Sequence, residues 1–209
     1  MSLTLVIGDK RISSWSLRPW LALRQSGIPF EEIVVSLDGP DSSTQIRKHS
    51  PSGKLPVLKD GTLTIWDSIS ICEYVAEKFS EKMLWPAGAE ARALARSVCA
   101  EMHAGFQNLR NQFWFNCIGE MAIARPATET ARDIARIEEI WGAARARYGR
   151  GGPFLFGAFT NADAFYAPVV SRFQTYNVKL GRESKEYCDW VLALPAMKEW
   201  TAGARAEIA

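Results

Sequence analysis

The sequence has few of the residues that metal and disulfide chemistry require. Its two histidines, His49 and His103, stand far apart in the chain, so neither a zinc site nor a serine-histidine-aspartate triad is expected. The four cysteines have no Cys-x-x-Cys spacing and lie within apolar patterns: Cys72, Cys99, Cys117 and Cys188. They are typical of buried free thiols in a reducing compartment. We therefore expect no metal and no disulfide framework.

Excess charge of one sign and long apolar runs are also missing. Lys and Arg number 25 against 23 Asp and Glu, and no basic run exceeds two residues, so nucleic acid is not an expected partner. The short apolar run at the N-terminus has no basic segment before it, and no stretch is long enough to cross a membrane. We expect a cytoplasmic protein with no membrane partner. The apolar content of 47% is enough for a buried core in one domain or two small ones.

The first eighty residues mix strands with helices. Residues 3–8 and 30–37 have the apolar and β-branched character of buried strands, and residues 17–26 have helical spacing that stops at Gly27. This β-α-β order predicts two parallel strands with a right-handed crossover. A short helix (44–49), two antiparallel strands joined at Asp60-Gly61 (55–59 and 62–66) and a helix starting at Asp67-Ser68 are predicted to follow.

The rest of the chain carries only helical patterns. Residues 81–89 contain Pro86 and Gly88 and are predicted to be a linker. Helices are predicted over 90–115, 128–148, 161–173, 183–193 and 196–206. The sequence thus indicates a two-domain α+β protein, with a thioredoxin-like βαβ-ββα domain (1–80), a linker (81–89) and an all-α domain (90–209).

The stretch Ser13-Ser14-Trp15-Ser16 lies between the first strand and the first helix. Its hydroxyls stand beside unpaired backbone N–H groups and the positive end of a helix dipole, which suits an anion. A serine here is also an ordinary helix cap. Pro19 fits only a helix that begins near Ser16, which would leave Ser13 and Ser14 in a loop.

Four local motifs carry a family resemblance. They are Ser13-Ser14-Trp15-Ser16, the stretch from Ser50 to Leu58 that contains Leu55-Pro56, the stretch from Trp66 to Ile71 that contains Asp67-Ser68, and the stretch from Gly157 to Asp163. In this order and at these separations the chain resembles the cytosolic glutathione transferases over nearly its whole length. The serine stretch is similar to the Ser-Ser-Cys-Ser of zeta-type members. Trp15 stands where those members have Cys, and Ile12 where they have Arg.

The resemblance implies a site for reduced glutathione as co-substrate. Asp67 would pair with the γ-glutamyl ammonium, and Ser68 would donate to its carboxylate, although both are also good helix caps. The backbone of Leu55 would pair with the cysteinyl part, with Pro56, cis in the family, as the positioning residue. Two further residues would reach the glycyl carboxylate, Lys54 and, less strongly, His49. Trp15 would border the same site.

The sulfur end decides which chemistry is available. Family members activate the thiol with Tyr, Ser or Cys near the end of the first strand, and this chain has no Tyr before Tyr74 and no Cys before Cys72. The zeta-type alignment makes Ser13 the hydroxyl donor to the thiolate, with Ser14 as the alternative. Lowering a thiol pKa of about 8.5 by two units takes roughly 2.7 kcal/mol. A charge-assisted hydrogen bond of about 1.5 to 3 kcal/mol with a helix dipole of up to about 1 kcal/mol can supply this.

The electrophile would bind between the domains, beside Trp15. Residues at roughly helical intervals on the first long helix of the all-α domain would line this pocket: His103, Phe106, Arg110, Phe113 and Trp114. Such an aromatic stripe is also typical of core packing. Thr160 and Asp163 have capping-box spacing, and we expect them to be structural.

We expect a dimeric glutathione transferase that conjugates glutathione to a flat, apolar or aromatic electrophile. One alternative is a zeta-type cis-trans isomerase similar to maleylacetoacetate isomerase, favoured if Arg172 and Arg110 face the sulfur site; Arg172 lies about one turn early for that role. The other is a non-catalytic module of the same fold. The expected partners are glutathione, a small electrophile and a second copy of the chain.

Overall fold

The computed structural model describes residues 3–121 and 125–208. Its N-terminal elements are β1 (Leu3–Gly8), α1 (Ser14–Gln25), β2 (Phe30–Val35), α2 (Ser42–Arg47), β3 (Val57–Asp60), β4 (Leu63–Trp66) and α3 (Ser68–Lys78). A 3₁₀ turn (Ser80–Lys82) leads to α4 (Ala89–Ala104), α5 (Gln107–Gln112), α6 (Thr128–Tyr148), α7 (Asn161–Thr175), α8 (Arg182–Ala193) and α9 (Pro195–Ala206). The predicted α+β class, a thioredoxin-like unit followed by helices, is confirmed.

The four strands form one sheet in the order β2-β1-β3-β4. β1 pairs with β2 in parallel and β3 with β4 antiparallel, as predicted, and the structure adds an antiparallel pairing of β3 with β1. Val6 occupies the centre, opposite Ile33 on one side and Val57 on the other. The Leu55-Pro56 peptide bond that leads into β3 is cis.

The first helix begins earlier than expected. Ser13 is the N-cap of α1 and Ser14 its first residue, so the prediction that both lie in a loop before the helix is wrong. Pro19 stands beyond the first turn, where it provides no N–H for the helical hydrogen bond to the carbonyl of Trp15. The serines are therefore fixed at the start of the helix.

The predicted helix over 90–115 is two helices. α4 ends before Gly105, and Phe106 has a left-handed φ of 59° before α5 begins. A Cβ at position 105 would lie 2.8 Å from the carbonyl oxygen of Glu101, so the chain needs glycine at this bend. The remaining helices agree with their predicted spans within a few residues.

Helix α7 lies at the centre of the molecule and packs against α1, α4 and α8. Its capping box is present: the Asp163 carboxylate accepts from the Thr160 N–H at 2.8 Å and the Thr160 hydroxyl at 3.1 Å. The cysteines are free and buried, as predicted, and burial raises the pKa of the Cys117 and Cys188 thiols to about 12. Within the described residues, no helix is long and apolar enough to cross a membrane.

Candidate active site

Two serines at the start of α1 have different partners. The Ser13 hydroxyl donates to the Ser16 hydroxyl at 2.7 Å, and the Ser16 oxygen also accepts from the Gly8 N–H at 3.1 Å. The Ser14 hydroxyl oxygen accepts from Arg172 at 3.5 Å, and its own hydrogen has no acceptor among the described residues. No hydrogen bond in the described part of the chain uses the N–H groups of the first three α1 residues. These donors form one polar end of the site.

The start of α3 forms a second group of donors and acceptors. Asp67 caps the helix, because its Oδ1 accepts from the Ile69 N–H at 2.9 Å. Its φ is 73°, an unfavourable conformation for a residue with a side chain, and such outliers are common at ligand sites. Ser68 is buried directly behind it. An exposed carboxylate and a buried hydroxyl thus lie at one helix N-terminus.

Arg18 joins the two helix starts. It is fully buried, and its guanidinium lies 4.2 Å from the ring centre of Trp15 and 4.8 Å from that of Phe165. Its Nη1 lies 3.5 Å from the hydroxyl oxygen of Ser68 and 3.5 Å from Nδ1 of His103. Burial, with the nearby positive charges of Arg110 and Arg172, lowers the pKa of Arg18 to about 9.

His103 reaches from α4 to the same place. Its Nε2 lies 3.4 Å from Oδ2 of Asp67, and its ring meets that of Trp15 edge-on at 5.0 Å. Burial lowers the pKa of His103, Asp67 raises it, and the charges of Arg18 and Arg110 lower it further; the net shift is downward. This downward shift favours the neutral form of His103.

Two more arginines lie close to Ser14 and Trp15. Arg172 on α7 is held by the carbonyls of Phe113 at 2.8 Å and Pro168 at 3.3 Å, and burial lowers its pKa to about 9. Arg110 lies 4.9 Å from the ring centre of Trp15, and burial lowers its pKa. Neither forms an ion pair with a carboxylate within the described residues. Their charge is available to an anion.

The loop before β3 carries the remaining predicted glutathione residues. Pro56 is buried and Leu55 is partly buried beside Val6 and Val57, whereas Lys54 is exposed. Nδ1 of His49 accepts from Nζ of Lys59 at 3.2 Å, and the pKa of His49 is lowered by burial and by the neighbouring lysines. The glycyl end predicted at Lys54 and His49 is thus a basic surface.

The aromatic residues predicted for the electrophile pocket have different environments. Phe106 and Phe113 are buried, and Phe113 stacks on Tyr176 at 4.7 Å while lining a separate cavity of about 360 Å³. Trp114 is 45% exposed. Among the five residues predicted for this pocket, His103 and Arg110 are the two with described ring or cation contacts to Trp15.

Sequence reasoning did not identify Arg18 as a site residue. The signal was present: an arginine between Leu17 and Pro19 interrupts the apolar face of a buried helix. Such a buried charge usually has a specific polar role. The described residues contain no group of three or more His, Cys, Asp or Glu that could hold a metal ion.

Comparison with known proteins assigns the family. The family model described as "Glutathione S-transferase, N-terminal domain" matches residues 12–78, and the model described as "Glutathione S-transferase, C-terminal domain" matches residues 127–203. The chain belongs to the glutathione S-transferase family. The resemblance inferred from the serine, Leu-Pro and Asp-Ser motifs is therefore confirmed, and the chain is a glutathione transferase.

Individual proteins that are similar to this transferase agree with the family assignment. Glutathione S-transferase Z2 of Arabidopsis thaliana is 26% identical over 175 residues, which cover 80% of this chain and 76% of the relative. Maleylacetoacetate isomerase of Rattus norvegicus is 27% identical over 173 residues, which also cover 80% of this chain and 76% of the relative. A Burkholderia glutathione transferase homologue, solved with bound glutathione, has the same fold, with a TM-score of 0.74 at 20% identity over 99% of this chain and 100% of its own.

Proposed function

We propose that this transferase binds reduced glutathione across the starts of α1 and α3, stabilises its thiolate at Ser13 and adds the sulfur to an electrophilic carbon. The observation that carries the proposal is the convergence at Trp15: Arg18 joins it to Ser68, and His103 joins it to Asp67. This convergence supports a single site in which the sulfur end and the γ-glutamyl end lie close together.

Each end of glutathione meets a group of complementary charge. The Ser68 hydroxyl and the positive end of α3 suit the γ-glutamyl carboxylate, and the exposed Asp67 suits the ammonium. The backbone of Leu55 lies two residues before β3 and outside its ladder, so an extended cysteinyl segment can pair with it. Lys54 and His49 would receive the glycyl carboxylate.

Ser13 would act by donating a hydrogen bond to the sulfur. Its hydrogen points to Ser16 in the free protein, and a hydroxyl rotates easily, so glutathione would replace a neutral hydrogen bond with a charge-assisted one. The thiol proton leaves to solvent and a sulfur-carbon bond forms. The leaving group, such as the halide of an activated aryl halide, departs with its electron pair. Ser14 is the alternative donor.

Binding and turnover test the proposal separately. Isothermal titration with reduced glutathione should show binding that Ser68→Ala and Asp67→Asn each weaken by roughly tenfold. Ser97→Ala, on the exposed face of α4, is the matched control and should bind normally. The rate of glutathione conjugation to an aryl halide at subsaturating glutathione should fall in the two weakened variants and stay normal in the control. No binding would refute the proposal, and tight binding without conjugation of any electrophile would favour the non-catalytic module.

A second candidate function is glutathione-dependent cis-trans isomerisation. The specific observation in its favour is that Arg172 reaches Ser14 while Arg110 lies against Trp15, which would put both arginines near the proposed sulfur end. An isomerase would convert a maleylacetoacetate-type substrate to its trans isomer without consuming glutathione. Such turnover, absent from Arg172→Met, would favour this candidate over conjugation.

We also propose that the transferase is a homodimer. Family resemblance supports this, as does the exposed apolar surface at the sheet edge, where Leu63 and Trp66 of β4 are each 47% exposed. Light scattering should give twice the chain mass of 23.3 kDa. Leu63→Lys should shift the mass towards the monomer, and a wild-type monomer would contradict the proposal.

A further inference from the structure

The buried position of Arg18 costs the protein folding free energy, because its charge is removed from water. Its guanidinium is fully buried, its Nε has no hydrogen-bond partner, and it forms no ion pair with a carboxylate in the described part of the chain. The two nearby arginines add repulsion, and burial depresses its pKa. A buried charge of this kind usually stabilises a protein less than an apolar side chain of the same size. A role in function explains its presence better than a role in stability.

The contacts of Arg18 lead to the groups proposed to hold the γ-glutamyl end. Its Nη1 faces the oxygen of Ser68 at 3.5 Å. An arginine can only donate, so Ser68 accepts from it and keeps its own hydrogen for a ligand. Contacts of this length in a free enzyme commonly shorten when the ligand binds. Arg18 thus orients the Ser68 hydroxyl outward.

The second contact of Arg18 determines which nitrogen of His103 carries the hydrogen. Because Arg18 approaches Nδ1 at 3.5 Å as a donor, Nδ1 must accept, and in neutral His103 the hydrogen is on Nε2. Nε2 faces Oδ2 of Asp67 at 3.4 Å and can donate to it. The other oxygen of Asp67 is held by the Ile69 N–H. One oxygen of Asp67 is thus hydrogen-bonded, and the other lies beside the Nε2–H of His103, despite the left-handed backbone at this residue.

We propose that Arg18 and His103 are positioning residues for the γ-glutamyl group of glutathione, with Arg18 orienting the Ser68 hydroxyl and His103 orienting the Asp67 carboxylate. The inference rests on the proposed function, because it assumes that Ser68 and Asp67 bind this group. Neither positioning residue needs to touch the ligand. Their effect should therefore depend on the γ-glutamyl carboxylate and ammonium and be absent when the ligand lacks both.

The test compares two ligands on the full chain by isothermal titration. One is reduced glutathione. The other is butanoyl-cysteinyl-glycine, which has the same thiol and glycyl end but neither γ-glutamyl charge. His103→Phe keeps an aromatic ring beside Trp15 and Phe165 and should bind glutathione roughly tenfold more weakly, with unchanged affinity for the truncated ligand. His103→Gln, which retains a donor and an acceptor, should restore glutathione affinity to within about threefold of wild type.

Arg18→Met supplies a second readout that a purely structural role would not produce. It should fold with an unchanged or higher unfolding midpoint, because a buried unpaired charge is replaced by an apolar chain of similar length. Arg18→Met should still bind glutathione more weakly than wild type does, while its affinity for butanoyl-cysteinyl-glycine is unchanged. Arg182→Met, an exposed substitution of the same kind on α8, should change neither quantity.

The outcomes separate this inference from the proposed function. If Ser68→Ala weakens both ligands equally or neither, the placement of the γ-glutamyl group at α3 is wrong. If Ser68→Ala affects glutathione alone but His103→Phe does not, the placement stands and the positioning role is refuted. Equal weakening of both ligands by His103→Phe would likewise refute it and indicate general damage to the site.

Discussion

Nη2 of Arg172 lies 3.5 Å from Oγ of Ser14, although 158 residues separate the two in the chain. Carbonyl oxygens of Phe113 and Pro168 hold the guanidinium in place. Its pKa, lowered by burial to about 9, still leaves it charged at neutral pH. A fixed positive charge therefore stands behind the serine pair where the thiolate is proposed to form.

Removing this charge should weaken thiolate formation. Arg172→Met is expected to raise the pKa of the bound glutathione thiol by about half to one unit, since a nearby cation favours the charged form. Conjugation at pH 6.5 should fall roughly three- to tenfold. Ultraviolet titration of the thiolate checks this. Arg132→Met, an exposed change on α6, is the control, and an unchanged thiol pKa in Arg172→Met would show that the charge does not act on sulfur.

Asp163 should be a stability residue with little part in the chemistry. Its carboxylate accepts from the Leu155 N–H, the Thr160 N–H and hydroxyl, and the Tyr187 hydroxyl, all buried. Asp163→Ala leaves these donors without a partner and should lower the free energy of unfolding by about 3 kcal/mol or more. Urea unfolding measures the loss. A stable variant that lost only activity would contradict this assignment.

The same residue should make stability depend on pH. Burial raises the pKa of Asp163 to about 6, against 3.8 for an ordinary aspartate, so between these values the folded chain keeps a proton that the unfolded chain has lost. The resulting stabilisation is full below pH 4 and disappears as the pH rises through 6. Between pH 4 and a pH above 6, the free energy of unfolding of wild type should fall by roughly 2 to 3 kcal/mol relative to that of Asp163→Asn, which cannot titrate at this position. If the free energies of unfolding of the two proteins changed with pH in parallel, the raised pKa of Asp163 would be refuted.

The bend between α4 and α5 should require Gly105. An alanine Cβ there would lie 2.8 Å from the Glu101 oxygen, so Gly105→Ala should destabilise the fold by about 1 to 3 kcal/mol. Gly142→Ala is the matched control, because the residue is inside α6 and, apart from its own stretch of helix backbone, no atom of the described residues lies within 4 Å of the added Cβ. That change should stabilise by up to about 1 kcal/mol. Equal effects of the two substitutions would mean that the bend tolerates a side chain.

Local sequence signals predicted most of the fold. The Asp67 cap, the Thr160-Asp163 capping box and the Asp60-Gly61 turn each depend on residues that are close together in the sequence, so the sequence alone can predict them. The bend at Gly105 was missed because a single glycine within an apolar pattern is compatible with a continuous helix. Its cause is the Glu101 carbonyl, which only the folded chain brings close.

The site was less predictable because its key contacts join distant elements. The motifs pointed to the serines, Leu55-Pro56 and Asp67-Ser68, but gave no sign that Arg18 and His103 lie between Trp15 and Asp67-Ser68. Those contacts span 50 and 85 residues and depend on how α1, α3 and α4 meet. Side-chain partners across helices follow from packing, which sequence periodicity does not specify.

The most direct test of the mechanism is the ultraviolet absorbance of the glutathione thiolate, titrated with pH in the presence of wild type, Ser13→Ala and Ser14→Ala. We expect wild type to hold the glutathione thiol pKa well below the ordinary value of about 8.5, and Ser13→Ala to restore it towards that value while glutathione still binds. A lowered pKa that survives Ser13→Ala but not Ser14→Ala would assign the donor role to Ser14. Wild type that binds glutathione without lowering its thiol pKa would contradict the mechanism.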